Sequence, residues 1–266
     1  MIRVIEIKDY IRPKSIEEAY EKLVSVDGAE IIGSGAFMRL SSRKIELAID
    51  LQDAGVNYIK EENGEIKIGS ATPLGEIEKS EIIKNAFDGK LAEIMKYIWS
   101  VQLRNIATLG GTVFPKLGFS DLLTVLLVLD TDIVLHKNGR MPLEKFLEEK
   151  IRKDIMVELI IKNNGRKLSF QNMRNSFYDF SILNAAASKL DNDIKIAIGA
   201  RPGVARLTRK TMEELKTLEN IEEKLQEISE KAASEVEYGS NIKGSKEYRE
   251  MIAPVLVRRA LEEVIK

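Results

Sequence analysis

Two short segments of the chain have the residue types and spacing that suit phosphate binding. The first is Gly33-Ser34-Gly35-Ala36, which follows a predicted strand over 29–32, and the second is Thr108-Leu109-Gly110-Gly111-Thr112. Because glycine adopts positive φ readily and has no Cβ, we expect each segment to turn consecutive N–H groups onto one concave surface, with positive φ at Gly110 and Gly111. Such a surface binds phosphate or pyrophosphate. Each segment taken alone is also typical of an ordinary tight turn.

Composition excludes several other kinds of chemistry. The chain has no cysteine, so it contains no disulfide, no thiolate-bound iron–sulfur cluster and no cysteine nucleophile. The only histidine, His136, lies beside a predicted hairpin turn, and its place favours a solvated strand end over a ligand or a base. We therefore predict no metal site and no catalytic side chain in this protein.

Charge and hydropathy indicate the environment of the chain. Its net charge of −1, without a basic face interleaved with aromatic residues, predicts binding neither to nucleic acid nor to an anionic membrane. The first six residues carry charge where a signal peptide needs an apolar core, so we expect a cytoplasmic protein. The longest apolar run, 122–129, is too short to span a bilayer. It fits a buried helix or a buried strand, and periodicity does not decide between them.

Helical and strand patterns both occur along the chain. Asn63-Gly64 and Asn138-Gly139 predict hairpin turns, and Thr72 with Pro73 predicts the cap and first residue of a helix. A domain boundary is expected near 163–167. Strands are predicted over 46–51, 155–161 and 194–198; helices are predicted after a capping box at Ser15, around 91–98, over the alanine-rich stretch 180–190, and from Thr208 onward.

With both glycine segments in place, the chain resembles the FAD-binding (medium) subunits of molybdenum hydroxylases, the family of the xanthine dehydrogenase and carbon monoxide dehydrogenase flavoproteins. The most distinctive similarity is Gln102-Leu103-Arg104-Asn105 followed by Ala107 to Gly111, with Ser120-Asp121-Leu122 at the family's spacing. Further similar segments are Tyr10-Ile11-Arg12-Pro13-Lys14-Ser15, Ile68-Gly69-Ser70-Ala71-Thr72-Pro73-Leu74, Arg174 with Asp179, Tyr248-Arg249, and Val257-Arg258-Arg259-Ala260.

The resemblance implies both a fold and a set of site residues. The fold is α+β: an FAD-binding domain of two α/β subdomains (PCMH type) over 1–165, divided near 55, is followed by a smaller C-terminal α+β domain over 166–266. Backbone N–H groups of the two glycine segments would hold the pyrophosphate of a non-covalently bound FAD, with the Thr108 hydroxyl adding a contact. The implied cofactor-binding set is Gly33, Ser34, Gly35, Ala36, Thr108, Leu109, Gly110, Gly111, Thr112, Ser120, Asp121, Tyr178 and Asp179.

Two members of this set have an alternative role. Asp121 would accept a hydrogen bond from a cofactor hydroxyl, but it equally suits the N-cap of a helix that begins at Leu122. Tyr178 and Asp179 would lie near the isoalloxazine face, whereas Asp179 could instead cap the predicted helix that follows it.

The resemblance also implies an activity and partners. The protein would transfer electrons from iron–sulfur clusters on a small partner subunit to its flavin, and from there to NAD or another acceptor. The molybdenum cofactor, at which substrate is hydroxylated, would belong to a large partner subunit. The lack of cysteine agrees with that division, because this chain has no thiolates for the clusters.

Departures from the family's pattern leave an alternative open. Ser34, Ala36 and Phe37 stand where the family usually has a second glycine and polar residues, and Thr112 replaces an asparagine. Each lost polar contact could weaken binding by about 1 kcal/mol. The alternative is therefore a non-catalytic subunit that kept the fold while FAD binding weakened or was lost. A free-standing oxidase with covalently attached flavin is not expected, because the chain has no cysteine and His136 is far from both segments in sequence.

Overall fold

The computed structural model describes residues 5–36 and 38–266. Phe37 lies outside the described residues, as do the first four residues, whose charge entered the prediction of a cytoplasmic protein. Its strands are β1 (Glu6–Ile7), β2 (Tyr10–Ile11), β3 (Ala29–Ile32), β4 (Lys44–Ile45), β5 (Leu47–Asp50), β6 (Ile59–Glu62), β7 (Glu65–Gly69), β8 (Thr131–Leu135), β9 (Gly139–Pro142), β10 (Met156–Lys162), β11 (Lys167–Met173), β12 (Leu183–Leu190), β13 (Asp193–Gly199) and β14 (Arg206–Leu207). Its α-helices are α1 (Ile16–Ser25), α2 (Leu74–Lys79), α3 (Glu81–Asn85), α4 (Lys90–Met95), α5 (Val101–Ile106), α6 (Leu109–Val113), α7 (Asp121–Val128), α8 (Leu143–Glu148), α9 (Arg209–Leu215), α10 (Leu225–Ser234) and α11 (Lys246–Ile265).

The chain divides into two compact units, each assembled from separate stretches of sequence. Unit 1 comprises Met1–Ile77, Ser100–Pro115 and Asp132–Ile160. Unit 2 comprises Glu78–Trp99, Lys116–Thr131 and Ile161–Lys266. The boundary expected near residue 165, between sequence-continuous domains, stays a prediction.

Unit 1 contains a small parallel sheet and a larger mixed one. The parallel sheet has the order β2-β5-β3, and helix α1 packs on β3 and β5. Ser15 caps α1 as predicted, because its side chain accepts a hydrogen bond from the Glu18 N–H at 3.1 Å. The apolar face of α1 is buried in a core that includes Ile16, Ala19, Leu23, Leu47, Ile49 and Ile155.

The larger sheet of unit 1 has the order β6-β7-β10-β8-β9. Both predicted hairpins are confirmed, since β6 pairs antiparallel with β7 and β8 with β9. Asn63 and Gly64 have φ of 53° and 73°, as a tight turn of this kind requires. The predicted strand over 155–161 is also confirmed, as β10 in the middle of the sheet.

The short helix expected to open at Thr72 and Pro73 is confirmed as α2, but the predicted cap and first residue are wrong by one position. Helix α2 begins at Leu74, after Pro73. The Thr72 hydroxyl is occupied elsewhere, because it accepts a hydrogen bond from the Tyr58 N–H and donates one to the Tyr58 carbonyl, both at 3.1 Å.

Unit 2 is built around an antiparallel sheet of order β11-β12-β13-β14 with helices on both faces. On one face, helices α10 and α11 cover a core that includes Leu183, Ala185, Ala187, Ile194, Ile196 and Ile198. Helix α7 contacts the other face, where the Thr124 hydroxyl donates a 2.8 Å hydrogen bond to the Asn184 side chain.

The helix predicted over 180–190 is wrong, because Leu183–Leu190 forms strand β12. Its first six residues are buried, as expected of a strand covered on both faces. Small side chains there allow the helices on either side to approach the sheet closely. This packing overrides the helix propensity of alanine, which is only a weak prior.

The apolar run over 122–129 is a helix, which resolves the ambiguity of the sequence. Every residue of α7 is buried, so the run has no polar face from which a helical period could have been read. Among the described residues, none of the helices is both long enough and apolar enough to cross a membrane.

We expect Leu261→Ala to destabilise unit 2, because Leu261 on α11 is fully buried in its core. The loss should be roughly 2–5 kcal/mol of unfolding free energy, from reduced burial and the cavity left behind. Met251→Ala on the same helix is the matched control, since Met251 is 66% exposed and should cost less than about 0.5 kcal/mol. Denaturant unfolding measures both, and equal losses would contradict the described packing of α11.

Candidate functional site

The structure brings the two glycine segments of unit 1 into close contact. Thr108 is the N-cap of α6, and its hydroxyl oxygen accepts a hydrogen bond from the Gly111 N–H at 3.2 Å. A Cβ on Gly33 would lie 2.5 Å from that oxygen and 3.2 Å from the Gly111 Cα. Gly33 is therefore required by close approach, and no larger residue fits without displacing the first turn of α6.

The expected positive φ at Gly110 and Gly111 is wrong, because both residues lie inside helix α6. Their lack of a side chain serves packing instead. A Cβ on Gly110 would lie 3.0 Å from both the Cβ and the carbonyl oxygen of Ser70. A Cβ on Gly111 would lie 3.4 Å from the Gly33 carbonyl oxygen.

Positive φ occurs in the first segment, at Ser34 (62°) and Gly35 (66°). For Ser34 this conformation carries steric strain, since a Cβ disfavours the left-handed region. A Cβ on Gly35 would meet nothing within 4 Å. Glycine at position 35 is therefore favoured by the positive φ of the backbone, whereas glycine at position 33 is required by close packing.

The N–H groups of the second segment are already used within the chain. Leu109 donates to the Thr72 carbonyl at 2.9 Å, and Gly110 donates to the Ser70 carbonyl at 2.8 Å. Thr112 donates from its N–H and from its hydroxyl to the Thr108 carbonyl, at 3.1 and 2.9 Å. The second segment therefore forms a rigid support with few donors left for a ligand.

The first segment has donors to spare. Within the part of the chain that the structure describes, no acceptor lies within hydrogen-bond distance of the N–H groups of Ser34, Gly35 and Ala36. Three consecutive N–H groups in a loop with positive φ form an anion-binding concavity. The Ser70 hydroxyl, buried next to Gly110, is likewise without a partner among the described residues.

The remaining predicted site residues lie in unit 2. Ser120 is the N-cap of α7, and its hydroxyl accepts a hydrogen bond from the Leu123 N–H at 3.3 Å. Asp121 is therefore the first helical residue, and its alternative role as the N-cap is wrong. The Asp121 carboxylate accepts hydrogen bonds from Arg174 at 2.8 Å and from Ser181 and Asn184, each at 2.6 Å. Its expected contact with a cofactor hydroxyl stays a prediction.

Tyr178 and Asp179 lie on the loop 175–180, which leads into β12. Tyr178 is 68% exposed and meets the ring of the half-exposed Phe177 edge-on, with centroids 5.1 Å apart. Asp179 accepts hydrogen bonds from the Phe180 N–H at 2.8 Å and from Lys243. The Lys243 ammonium, with the Phe180 N–H, holds the pKa of this carboxyl below its usual range. No helix follows Asp179, so its alternative role as a helix cap is wrong.

Two residues at these positions were absent from the predicted set, Arg174 and Lys243. In the sequence Arg174 is only a landmark of the family, and nothing in the spacing links it to Asp121, which is 53 positions away. Lys243 lies 64 positions from Asp179, in a loop with no motif of its own. Only the fold brings these charges together.

Comparison with known proteins decides the family. Residues 4–163 match the family model described as the FAD binding domain in molybdopterin dehydrogenase. The chain belongs to this family. Residues 168–264 match a second family model, the CO dehydrogenase flavoprotein C-terminal domain.

Relatives of similar length support the assignment. The chain is 27% identical over 255 residues to the uncharacterized protein YgfM of Escherichia coli (strain K12), with 94% of each chain covered. It is 24% identical over 277 residues to the glyceraldehyde dehydrogenase medium chain of Sulfolobus acidocaldarius, with 96% of this chain and 97% of the relative covered.

A solved structure matches the fold across the whole chain. It is carbon monoxide dehydrogenase from Hydrogenophaga pseudoflava, in a form that lacks the Mo-pyranopterin moiety of the molybdenum cofactor. The TM-score is 0.89 at 23% identity, covering 100% of this chain and 99% of the matched chain. This structure confirms the predicted α+β fold, and the two family models confirm the predicted family and its FAD cofactor.

The geometry of unit 1 fits the diphosphate of FAD. The close contact of Gly33 with Thr108 and Gly111 holds the first segment beside α6. The N–H groups of Ser34, Gly35 and Ala36, which make no hydrogen bond to any described residue, supply donors. The structure thus favours the first segment as the source of donors and the second as its support.

We expect Gly33→Ala to impair FAD binding, because the added Cβ would push the first segment away from Thr108 and Gly111. The displacement should also cost about 1–3 kcal/mol of stability. Gly64→Ala, in an open hairpin turn of the same unit, is the control for a glycine substitution away from the site. Flavin fluorescence titration and thermal unfolding measure the two effects, and wild-type FAD affinity in Gly33→Ala would contradict the close packing.

Proposed function

We propose that this chain is the FAD-binding electron-transfer subunit of a molybdenum hydroxylase complex. The observation that carries the proposal is the loop at Ser34 and Gly35. Its positive φ and its N–H groups, which make no hydrogen bond to any described residue, suit a diphosphate in a chain of the FAD-binding family. FAD, when bound, supplies the electron-transfer chemistry, and the protein supplies binding, orientation and electrostatics.

Different residues of the chain have different roles in FAD binding. The N–H groups of the first segment hold the diphosphate, and the first turn of α6 keeps that segment in place. In unit 2, the exposed Tyr178 offers an aromatic face for the isoalloxazine ring. Asp121 accepts a hydrogen bond from a cofactor hydroxyl, and Asp179 lies near the isoalloxazine face. None of these roles requires a side chain to act as an acid or a base.

Other chains would complete the pathway. Because this chain has no cysteine, 2Fe–2S clusters belong to a small partner subunit, and the molybdenum cofactor belongs to a large one. The Sulfolobus relative is named a medium chain, which supports a complex with a larger and a smaller partner chain. We propose NAD or another acceptor as the destination of the electrons and the cytoplasm as the location. We also keep the domain division at 165/166, which falls between the two matched stretches.

An absorption spectrum tests the proposal directly. It is recorded on the purified chain and on the chain co-expressed with its molybdenum and iron–sulfur partners, before and after addition of FAD. Flavin bands that bleach when the complex receives substrate would support electron transfer. A complex that assembles without flavin would overturn the proposal and favour the alternative, a subunit that has kept the fold and lost the cofactor.

We expect Gly35→Ala to weaken FAD binding without a steric clash. Alanine disfavours the positive φ by about 1–2 kcal/mol, so the dissociation constant should rise roughly five- to thirtyfold. Gly55→Ala is a matched control, because Gly55 also has positive φ (76°), lies in unit 1 and has open space around it. Titration of both variants with FAD gives the comparison, and equal affinities would contradict the proposed role of the first segment.

A further inference from the structure

One buried arginine of unit 2, Arg174, holds the backbone of the loop 175–180. The Arg174 side chain is 8% exposed. One terminal nitrogen, Nη1, donates to the carbonyls of Tyr97 at 3.1 Å, Asp179 at 3.2 Å and Phe177 at 3.4 Å. The guanidinium also lies over the Tyr97 ring, 5.1 Å from its centroid. Two of the three carbonyls belong to the loop itself, so its path depends directly on this side chain.

The other end of the guanidinium is fixed by a buried acid. Arg174 Nη2 donates to Asp121 at 2.8 Å and to the Ser181 hydroxyl at 3.0 Å, while Nε donates to the Asn172 side chain at 2.6 Å. Asp121 is itself 8% exposed and is held by Ser181 and Asn184. A buried charge pair of this kind is costly to break, because removal of one partner leaves the other charge unpaired.

The loop carries exposed aromatic side chains although its backbone is tied down. Phe177 and Tyr178 are 54% and 68% exposed, and the Phe177 ring also packs on Tyr97, with centroids 5.9 Å apart. Lys243 provides a second tie through Asp179. Aromatic groups held this way have little conformational entropy left to lose when a flat ring binds them.

We propose that Arg174 is the positioning residue of the loop 175–180, that Asp121 holds Arg174 in place, and that this pair fixes Tyr178 for the bound flavin. The part that concerns flavin rests on the proposed function. Asp121 then acts on the cofactor site through Arg174, whether or not it also touches a cofactor hydroxyl.

The geometry requires arginine rather than lysine. The planar guanidinium offers five N–H donors in a fixed fork, and here they reach acceptors on Asn172, on Asp121 with Ser181, and on the loop carbonyls. A lysine ammonium keeps the positive charge, but its single nitrogen cannot donate both to the Asp121 carboxylate and to the loop carbonyls. Arg174→Lys therefore separates positioning from charge.

The test compares Arg174→Lys with Arg166→Lys in the full chain. Arg166 is the matched control, because it is also a buried arginine of unit 2 paired with an aspartate, Asp193, and it makes no contact with the loop. Amide hydrogen exchange of 175–180 is measured without FAD. FAD affinity and the absorption envelope of the bound flavin are then measured by titration. Ser181→Ala, which removes one hydroxyl from the network, is a milder variant that serves if Arg174→Lys does not fold.

We expect Arg174→Lys to speed exchange in the loop by about tenfold or more and to raise the FAD dissociation constant about tenfold, equivalent to the loss of one charge-assisted hydrogen bond. Arg166→Lys should leave the exchange rate of the loop and the FAD dissociation constant within about twofold of wild type. The effects of Ser181→Ala should lie between those of the two arginine variants. Wild-type exchange of the loop in Arg174→Lys and in Ser181→Ala would overturn the positioning role. Faster exchange with unchanged affinity and spectrum would overturn the link to flavin.

Failure of the proposed function gives a different pattern. In that case neither the wild-type chain nor its complex takes up FAD, while hydrogen exchange still decides whether Arg174 positions the loop.

Discussion

The contact between Gly33 and the first turn of α6 leaves no room for a Cβ atom, and the site in unit 1 depends on that contact. Thr108 caps α6 and, with the same oxygen, lies against Gly33. The turn of α6 is in turn fixed by hydrogen bonds to the Ser70 and Thr72 carbonyls. A loop held this firmly at one end can keep the strained positive φ at Ser34, because its surroundings determine it.

Unit 2 uses a buried charge pair where unit 1 uses close backbone packing. The hydrogen bonds of Arg174 reach both Asp121 on α7 and the carbonyls of the loop before β12. The small side chains of β12 allow α7 to approach the sheet, which is how Asn184 reaches the same aspartate. The small residues of β12 therefore predict a helix from the sequence, yet in the structure they allow this polar network to form.

The sequence predicted those parts of the fold that local chemistry determines. The turn Asn63-Gly64, the cap at Ser15 and the central strand β10 depend on neighbouring residues, and the structure confirms them. Strand β12 was missed because burial on both faces comes from helices distant in sequence. The glycines at 110 and 111 correctly indicated the second segment, but they are needed for close packing and not for positive φ. The sequence did not show this, because a close approach between segments 75 positions apart has no local signature. Arg174 and Lys243 were outside the predicted site for the same reason.

We propose that the first glycine segment, rather than the second, supplies N–H donors to the diphosphate of FAD. Amide hydrogen exchange with and without FAD tests this role at single-residue resolution. FAD is expected to slow exchange at Ser34, Gly35 and Ala36, while Leu109 and Gly110, already hydrogen-bonded within the chain, change little. FAD-loaded protein in which residues 34–36 exchange as fast as in the free chain would contradict this role.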